Sequence, residues 1–535
     1  MNYNKYTPFI VFFIFVAGLF IGRYAFRPDG SDLTFSFFNG QVSKLQSVVN
    51  IIDKKYVDEV SIDNITENII PQLLKYLDPH TTYIPINKRE ESEQHLAGHF
   101  RGFGFEYSVF KDTAIILNVS QDSPADNIGI IPGDKIININ DNICAGFKGV
   151  KDTISENLKF ENDTLIKIGV KRFGIDSIIH FELVKKDIPI FSVNSGYMID
   201  STIGYINISS FASNTYDELI SKVDSLKLLG MNNLIIDLRG NGGGYVKTST
   251  SIANEFLPEN SLITYTKNRD GISKEYKANG EGKYLDINTA ILIDSYTASA
   301  SEMLSGAFQD NDKGIVIGRR SFGKGLVQEP IELSDGSVIR LTTARYYTPT
   351  GRCIQKPYEE YKNDIKNRIA NGELDSANAI SFPDSLKFTT PNGKIVYGGG
   401  GIIPDIFVPE NPDNLSGIIY NLEKNNIIAK YSAEKYNQFY NDTISTEQII
   451  EKIFNQKNYY DNFIKYVQEY GVKIDKNDAE IYQNKINNKI RTYIYAIAGD
   501  INKSYSIKNE LDNDVLKAVE YFNNDTINNK IINKE

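Results

Sequence analysis

Ser299 and Lys324 are the two side chains of this chain whose types and surroundings suit nucleophilic chemistry. A serine hydroxyl attacks a carbonyl only when a base takes its proton, and a neutral lysine amine can be that base. Lys324 stands between two glycines in Ser321-Phe-Gly-Lys-Gly325, and Gln328 follows where its amide could orient the amine. Lowering a lysine pKa from about 10.4 to roughly 7.5 costs about 4 kcal/mol, so the amine needs an apolar pocket. The usual base is scarce. The four histidines, His80, His95, His99 and His180, all lie far upstream of Ser299, and the sequence leaves open whether any approaches it in space.

The elements around the pair fit this chemistry. Ala290-Ile-Leu-Ile293 has the length of a buried strand, and Ala300, Met303, Leu304, Ala307 and Phe308 recur at helical spacing. Ser299 therefore sits where a strand gives way to a helix, whose first N–H groups lack partners and can receive an oxyanion. A structural reading stands beside it: Ser299-Ala-Ser-Glu302 is also the capping box S-x-x-E. Asp237-Leu-Arg-Gly-Asn-Gly-Gly-Gly244 follows the strand-like Leu234-Ile-Ile-Asp-Leu238 and lets backbone approach a ligand closely. It is not a dinucleotide fingerprint, because Tyr245 takes the place of the last glycine, and no G-K-[ST] ending makes it a phosphate loop.

From about residue 189, apolar runs at 203–208, 234–238, 290–293 and 314–318 alternate with helical periodicity, which predicts an α/β core. Residues 96–188 read as strands with turns. Between Lys44 and Leu77, apolar spacing predicts two amphipathic helices ending before Pro79. These either pack on their own domain or join subunits. The polar, charged stretch 358–383 reads as a surface insertion. The last 120 or so residues have helical spacing, as at Ile449, Ile450, Ile453 and Phe454, but no motif for chemistry. They could cover a cleft, join subunits or bind a partner.

Four motifs in one order carry a family resemblance: the Asp237–Gly244 run, Thr297-Ala-Ser-Ala-Ser-Glu302, Gly323-Lys-Gly325 with Gln328, and Tyr347-Thr-Pro-Thr-Gly-Arg352. From about residue 40 to 410 the chain resembles the C-terminal processing (tail-specific) serine peptidases. The resemblance implies a multidomain α/β (α+β) protein with a crotonase-like peptidase core, a PDZ domain and flanking helical segments. It implies Ser299 as nucleophile, Lys324 as general base, Gln328 as its positioner, and N–H groups of Gly243 and Ala300 for the oxyanion. It also implies dimer formation through the helical segment before the PDZ module. Two departures are visible: family members usually carry Ser at position 297 and often Asn-Pro at 241–242, and neither change touches a reacting atom. Phe100-Arg-Gly-Phe-Gly-Phe-Glu106 resembles a PDZ carboxylate-binding loop, and Ser123-Pro-Ala-Asp-Asn-Ile-Gly129 with Pro132-Gly-Asp-Lys-Ile136 resembles the helix and turn of that module. Phe103, Gly104 and Phe105 would then hold substrates with apolar C-termini, added as an extra strand. The competing reading is a non-catalytic relative acting as a PDZ scaffold or apolar-ligand binder. Ser299, Lys324 and Gln328 standing together argue against it.

Residues 8–22 carry no charge and are flanked by Lys5 and Arg23. The run is short for a span of about 20 residues, but with Arg23 snorkelling and residues 24–26 added it comes close. No convincing A-x-A cleavage site follows, which favours a retained anchor over a cleaved signal. The charges on its two sides do not orient it. An extracytoplasmic, periplasmic placement follows from the resemblance and the short N-terminal tail. The expected division is 1–33 anchor, 34–95 helical segment, 96–188 PDZ, 189–410 peptidase core and 411–535 helical region. With 535 residues, 41% hydrophobic and 24% charged, the composition is ordinary globular, and a net charge of -10 argues against general nucleic-acid binding. Cys144 and Cys353 are too far apart in sequence to suggest a disulfide framework, and no His/Cys cluster or H-E-x-x-H suggests a metal or other cofactor.

Overall fold

The computed structural model describes residues 40–140, 142–158, 165–361, 363–415, 417–441, 443–474 and 476–524. Two units divide at Leu73/Leu74. The first carries the helix Gly40–Lys55 and most of Ile62–Leu74, the two helices expected from apolar spacing. Leu45, Val48 and Ile51 on the first of them are 50%, 46% and 57% exposed, so an apolar stripe is left open. The membrane-directed residues 8–22 lie outside the described residues. Among those described, no helix is long and apolar enough to cross a membrane.

In the second unit, residues 96–188 hold an antiparallel sheet. Its order is Phe105–Phe110, Thr113–Val119, Lys135–Ile139, Ile166–Lys171 and Ile179–Leu183. Inward residues Ile116, Ile136, Ile139, Ile168 and Val170 close over Val150 and Ile154 of the helix Val150–Asn157. The Phe105–Phe110 strand pairs on one side only, so its outer edge is unpaired within this sheet.

The part of the chain from about residue 189 onward is built on a six-stranded sheet. In spatial order its strands are Val193–Met198, Ile203–Ile208, Asn233–Asp237, Asn288–Ile293, Gly314–Gly318 and Ile406–Phe407. The first pair is antiparallel and the rest parallel. Such strands are buried on both faces, which explains their continuous apolar runs. One face (Ile206, Leu234, Ile236, Ile291, Val316) packs against Leu219, Ile252, Leu304 and Phe308 of three helices. The other (Tyr205, Ile235, Leu292, Ile317) packs against Val515, Ala518 and Tyr521 of the C-terminal helix Asn513–Asn523. The end of the polar C-terminal region is therefore a layer of the core. Its preceding helices form a separate apolar cluster around Ile428, Phe463, Ile486 and Ile490.

A second sheet, in the order Thr82–Ile84, Val338–Tyr347, Leu262–Asn268 and Ser273–Lys277, also pairs Val338–Tyr347 with Leu326–Glu332, the strand that carries Gln328.

The stretch 358–383 is mostly exposed or half-buried, as expected of a surface insertion, but two of its charged residues turn inward. Asp364 and Arg368 of the helix Asp364–Ala370 are buried, and Asp364 takes Lys356 Nζ at 2.7 Å and Arg368 Nε at 3.1 Å. Arg368 also donates to the carbonyls of Arg320 (2.8 Å) and Ser321 (2.9 Å). Asp364 and Arg368, with Lys356 just before the stretch, neutralise one another beneath the lysine loop, while Glu359, Lys366 and Asp375 stay exposed.

Candidate active site

Ser299 ends the turn after the Asn288–Ile293 strand and begins the helix Ala300–Asp310. Its φ of 58° and ψ of -116° lie in a region that a residue with a Cβ seldom adopts, so its surroundings must hold it there. They do so from both ends. Its N–H donates to Glu302 Oε2 at 2.9 Å, the returning bond of the expected capping box, and its carbonyl accepts the buried Tyr346 hydroxyl at 3.0 Å. Thr297, where the resemblance leads one to expect serine, tightens the turn, because its hydroxyl donates to the Leu238 carbonyl at 2.9 Å.

Glu302 does more than cap. Fully buried, it also accepts Lys324 N–H at 2.8 Å on Oε2, and Gly323 N–H at 2.6 Å and Ser321 Oγ at 2.5 Å on Oε1. Burial pushes its carboxyl up while these donors pull the other way. The serine turn and the lysine loop are thus joined by one side chain.

Lys324 is half-buried, and its Nζ donates to Gln328 Oε1 at 2.8 Å. Burial, followed by the nearby positive Arg340, lowers its pKa from the ordinary 10.5, while Glu302 and Asp78 oppose the shift. Gln328 Nε2 in turn donates to the His80 carbonyl at 2.6 Å. Of the four histidines, His80 is the one that reaches this site by a described contact. Its ring meets Tyr361 and Phe322 edge-on at 5.0 and 6.5 Å, and its Nε2 is buried without a hydrogen-bond partner among the described residues. Burial, then Lys324, lowers its pKa to about 4.

The glycine run lies against the serine. A Cβ on Gly243, whose φ is 100°, would stand 2.8 Å from Ser299 Cβ and 3.0 Å from Ala300 N. Gly243, the expected second source of an oxyanion N–H, donates that N–H to Asn241 Oδ1 at 2.8 Å, and Asn241 is fully buried with Nδ2 on the Ile208 carbonyl at 2.9 Å. Ala300 N–H has no acceptor among the described residues. Ser301 is committed elsewhere, its hydroxyl donating to the Asn241 carbonyl at 3.0 Å. Arg239 anchors the run from below. It binds Asp237, Asp512 and Asp514 at 2.6, 2.8 and 2.7 Å, which ties the C-terminal helix to the loop beside Ser299.

The model for Peptidase family S41 matches residues 202–366. The carboxyl-terminal-processing protease of Synechocystis sp. is 32% identical over 348 residues, covering 63% of this chain and 80% of that one. Carboxy-terminal processing protease CtpB of Bacillus subtilis is 30% identical over 364 residues, covering 66% of this chain and 73% of that one. The chain belongs to the carboxy-terminal processing peptidases of family S41. It is a serine-type peptidase. Among solved structures, a photosystem II D1 C-terminal processing protease aligns over 70% of this chain and 94% of its own, with 22% identity and a TM-score of 0.36.

The residues that this S41 chain brings around Ser299 include several that sequence reading missed. Glu302 was visible as a cap but not as a bridge. Tyr346 stands next to the Tyr347–Arg352 motif, and nothing in the sequence marks its bond to the Ser299 carbonyl. The signal for the His80 turn was Asp78-Pro-His-Thr81, a pattern in which an Asp side chain captures the N–H groups that follow it. Far from Ser299 in sequence, Gly104 makes a turn with φ of 86°, where a Cβ would stand 2.1 Å from Ser123 Cβ. Phe103 is 7% exposed and belongs to its module's core, with Phe105 stacked on it at 6.3 Å at the start of the edge strand. Among the described residues no group of His, Cys, Asp and Glu is set to hold a metal.

Proposed function

We propose that this chain is a serine endopeptidase working through a Ser299/Lys324 dyad on protein substrates delivered by a PDZ module at 96–188. The observation that carries the reading is the setting of Lys324: a half-buried amine of lowered pKa, bonded to the neutral Gln328 amide and linked through Glu302 to Ser299. Neutral Lys324 Nζ takes the Ser299 Oγ proton as Oγ attacks the peptide carbonyl carbon. The carbonyl oxygen becomes an oxyanion facing Ala300 N–H, joined by Gly243 N–H once that group leaves Asn241. The Lys324 ammonium returns the proton to the departing amine nitrogen, leaving an acyl-enzyme. Water, giving a proton to the same amine, attacks the acyl carbon; the bond from that carbon to Ser299 Oγ breaks, the Lys324 ammonium returns the proton to Oγ, and the acid leaves with serine and neutral lysine restored. Neither metal nor cofactor has a part in this sequence of steps.

Recruitment rests on the edge of Phe105–Phe110, which can pair with an extended peptide, and on the Gly104 turn beside it, whose N–H groups suit a C-terminal carboxylate. Residues 8–22 anchor the protein with its peptidase half outside the cytoplasm, in the periplasm of a two-membrane cell. The open stripe of Leu45, Val48 and Ile51 supports homo-oligomer formation through the N-terminal helices. The test is turnover of an unfolded protein by the purified chain beside Ser299→Ala. The alanine variant folds, since a cap is worth only about 1 kcal/mol, and cleaves nothing. Cleavage by it would remove Ser299 from the mechanism, and a dead Ser301→Ala of native stability would transfer the role.

A further inference from the structure

The backbone of the Asp78-Pro-His-Thr81 turn ends on the side chain that holds Lys324. Asp78 captures the turn with both oxygens: Oδ1 accepts His80 N–H at 2.8 Å and Thr81 N–H at 2.9 Å, and Oδ2 accepts the Thr81 hydroxyl at 2.7 Å. The same hydroxyl oxygen accepts Thr342 N–H at 3.2 Å, and Thr342 is the cross-strand partner of Gln328. The turn is therefore pinned to the strand pair that carries Gln328. From that fixed place the His80 carbonyl accepts Gln328 Nε2 at 2.6 Å.

An amide can face a neighbour with either its oxygen or its nitrogen. Only the oxygen can accept from Lys324 Nζ, and a carbonyl waiting on the far side stabilises that orientation, because the flipped amide would set two oxygens against each other. With one amine hydrogen held on Gln328 Oε1 at 2.8 Å, the lone pair of the neutral amine has a restricted direction. His80 Nε2 has no hydrogen-bond partner among the described residues, and the ring packs on Tyr361 and Phe322, which wedges the turn against the lysine loop.

We infer that the Asp78-Pro-His-Thr81 turn is a positioning element for the general base, acting through the His80 carbonyl on Gln328 and through Gln328 on Lys324. This rests on the dyad reading above. Asp78 is a positioning residue: its hydrogen bonds go to the His80 and Thr81 backbone and the Thr81 hydroxyl, within the turn itself. Because the contact is made by backbone, it is removed by loosening the turn rather than by replacing the histidine.

The experiment is a double-mutant cycle on the full chain with an unfolded-protein substrate, using Asp78→Ala, Gln328→Ala and both together, with Asp78→Asn as the conservative variant. Asp78→Ala lowers kcat at least 10-fold with KM changed less than 2-fold, and Asp78→Asn, which keeps the Oδ1 acceptor, recovers most of that loss. In the Gln328→Ala background Asp78→Ala costs less than 3-fold further, because both remove the same restraint. Losses that multiply in full overturn the inference, as does a kcat for Asp78→Ala within 2-fold of native. If Asp78→Ala does not fold, Thr81→Val carries the same cycle, with a full additional loss in the Gln328→Ala background overturning it again. Lys324→Ala is measured alongside. If it keeps turnover, the dyad reading fails; if it is dead while the cycle multiplies, only the positioning role is lost.

Discussion

The backbone N–H groups of Ser299 and Lys324 meet on one oxygen, Oε2 of Glu302, at 2.9 and 2.8 Å. The proposed nucleophile and base come from separate loops at the ends of neighbouring parallel strands, and this shared acceptor fixes the position of one backbone against the other.

Glu302→Gln follows directly. An amide has one oxygen where the carboxylate has two, so its NH2 faces donors among Ser299 N–H, Lys324 N–H, Gly323 N–H and Ser321 Oγ. Buried donors left without an acceptor cost about 2 to 4 kcal/mol together. The variant should melt several degrees lower and, in its folded fraction, turn over at least 100-fold more slowly, as differential scanning and active-site titration would read. Native melting and turnover would mean that the bridge is incidental.

Much of this arrangement was legible in the sequence where the pattern was local. The apolar run before Ser299, the helical spacing after it and the S-x-x-E box sit within one short stretch, and the structure has the strand Asn288–Ile293, the helix Ala300–Asp310 and the returning Glu302 bond there. What could not be read was made by contacts between distant segments. Glu302 looked complete as a cap, and its bonds to the Ser321–Lys324 loop exist only because the Gly314–Gly318 strand lies beside Asn288–Ile293. Asp78-Pro-His-Thr81 signals a turn, but nothing in that pattern tells that the His80 carbonyl meets Gln328. Asp364 and Arg368 looked solvated like the rest of 358–383 because charge usually marks surface, whereas these two are buried and paired, Asp364 also with Lys356. The helix Asn513–Asn523 looked merely polar, since the apolar face of Val515, Ala518 and Tyr521 is narrow and its partner sheet lies far upstream.

Recruitment by carboxylate capture gives a binding test. Amidating the C-terminus of a peptide ending in an apolar residue removes the anion that the Gly104 turn would hold, and charge-assisted bonds are worth roughly twice neutral ones. Titration of acid and amide forms should show at least 10-fold weaker binding of the amide. Equal affinities would leave the edge of Phe105–Phe110 without this use.

The lysine carries the last prediction, because everything proposed for catalysis depends on a neutral amine. Lys324→Arg keeps length and charge but cannot deprotonate near neutral pH, so it should be as inactive as Lys324→Ala, with both losing several kcal/mol of transition-state stabilisation, on the order of 10³-fold or more. The direction with pH follows from a base whose folded pKa is depressed by burial and then by Arg340. Activity is present above that pKa, where the amine is neutral, and is lost as pH falls through it. His80 supplies a built-in control. Its pKa is pulled down to about 4, so its ring is neutral across the range where the lysine limb is sought, and a limb of its own would fall near 4. Replacing the His80 ring leaves its carbonyl on Gln328 and should cost less than 10-fold, roughly 1.4 kcal/mol. The measurement is kcat/KM against pH for the native chain, Lys324→Arg and His80→Asn. An acid limb near 4 that vanishes in His80→Asn, or substantial turnover by Lys324→Arg, would replace the lysine with a different base.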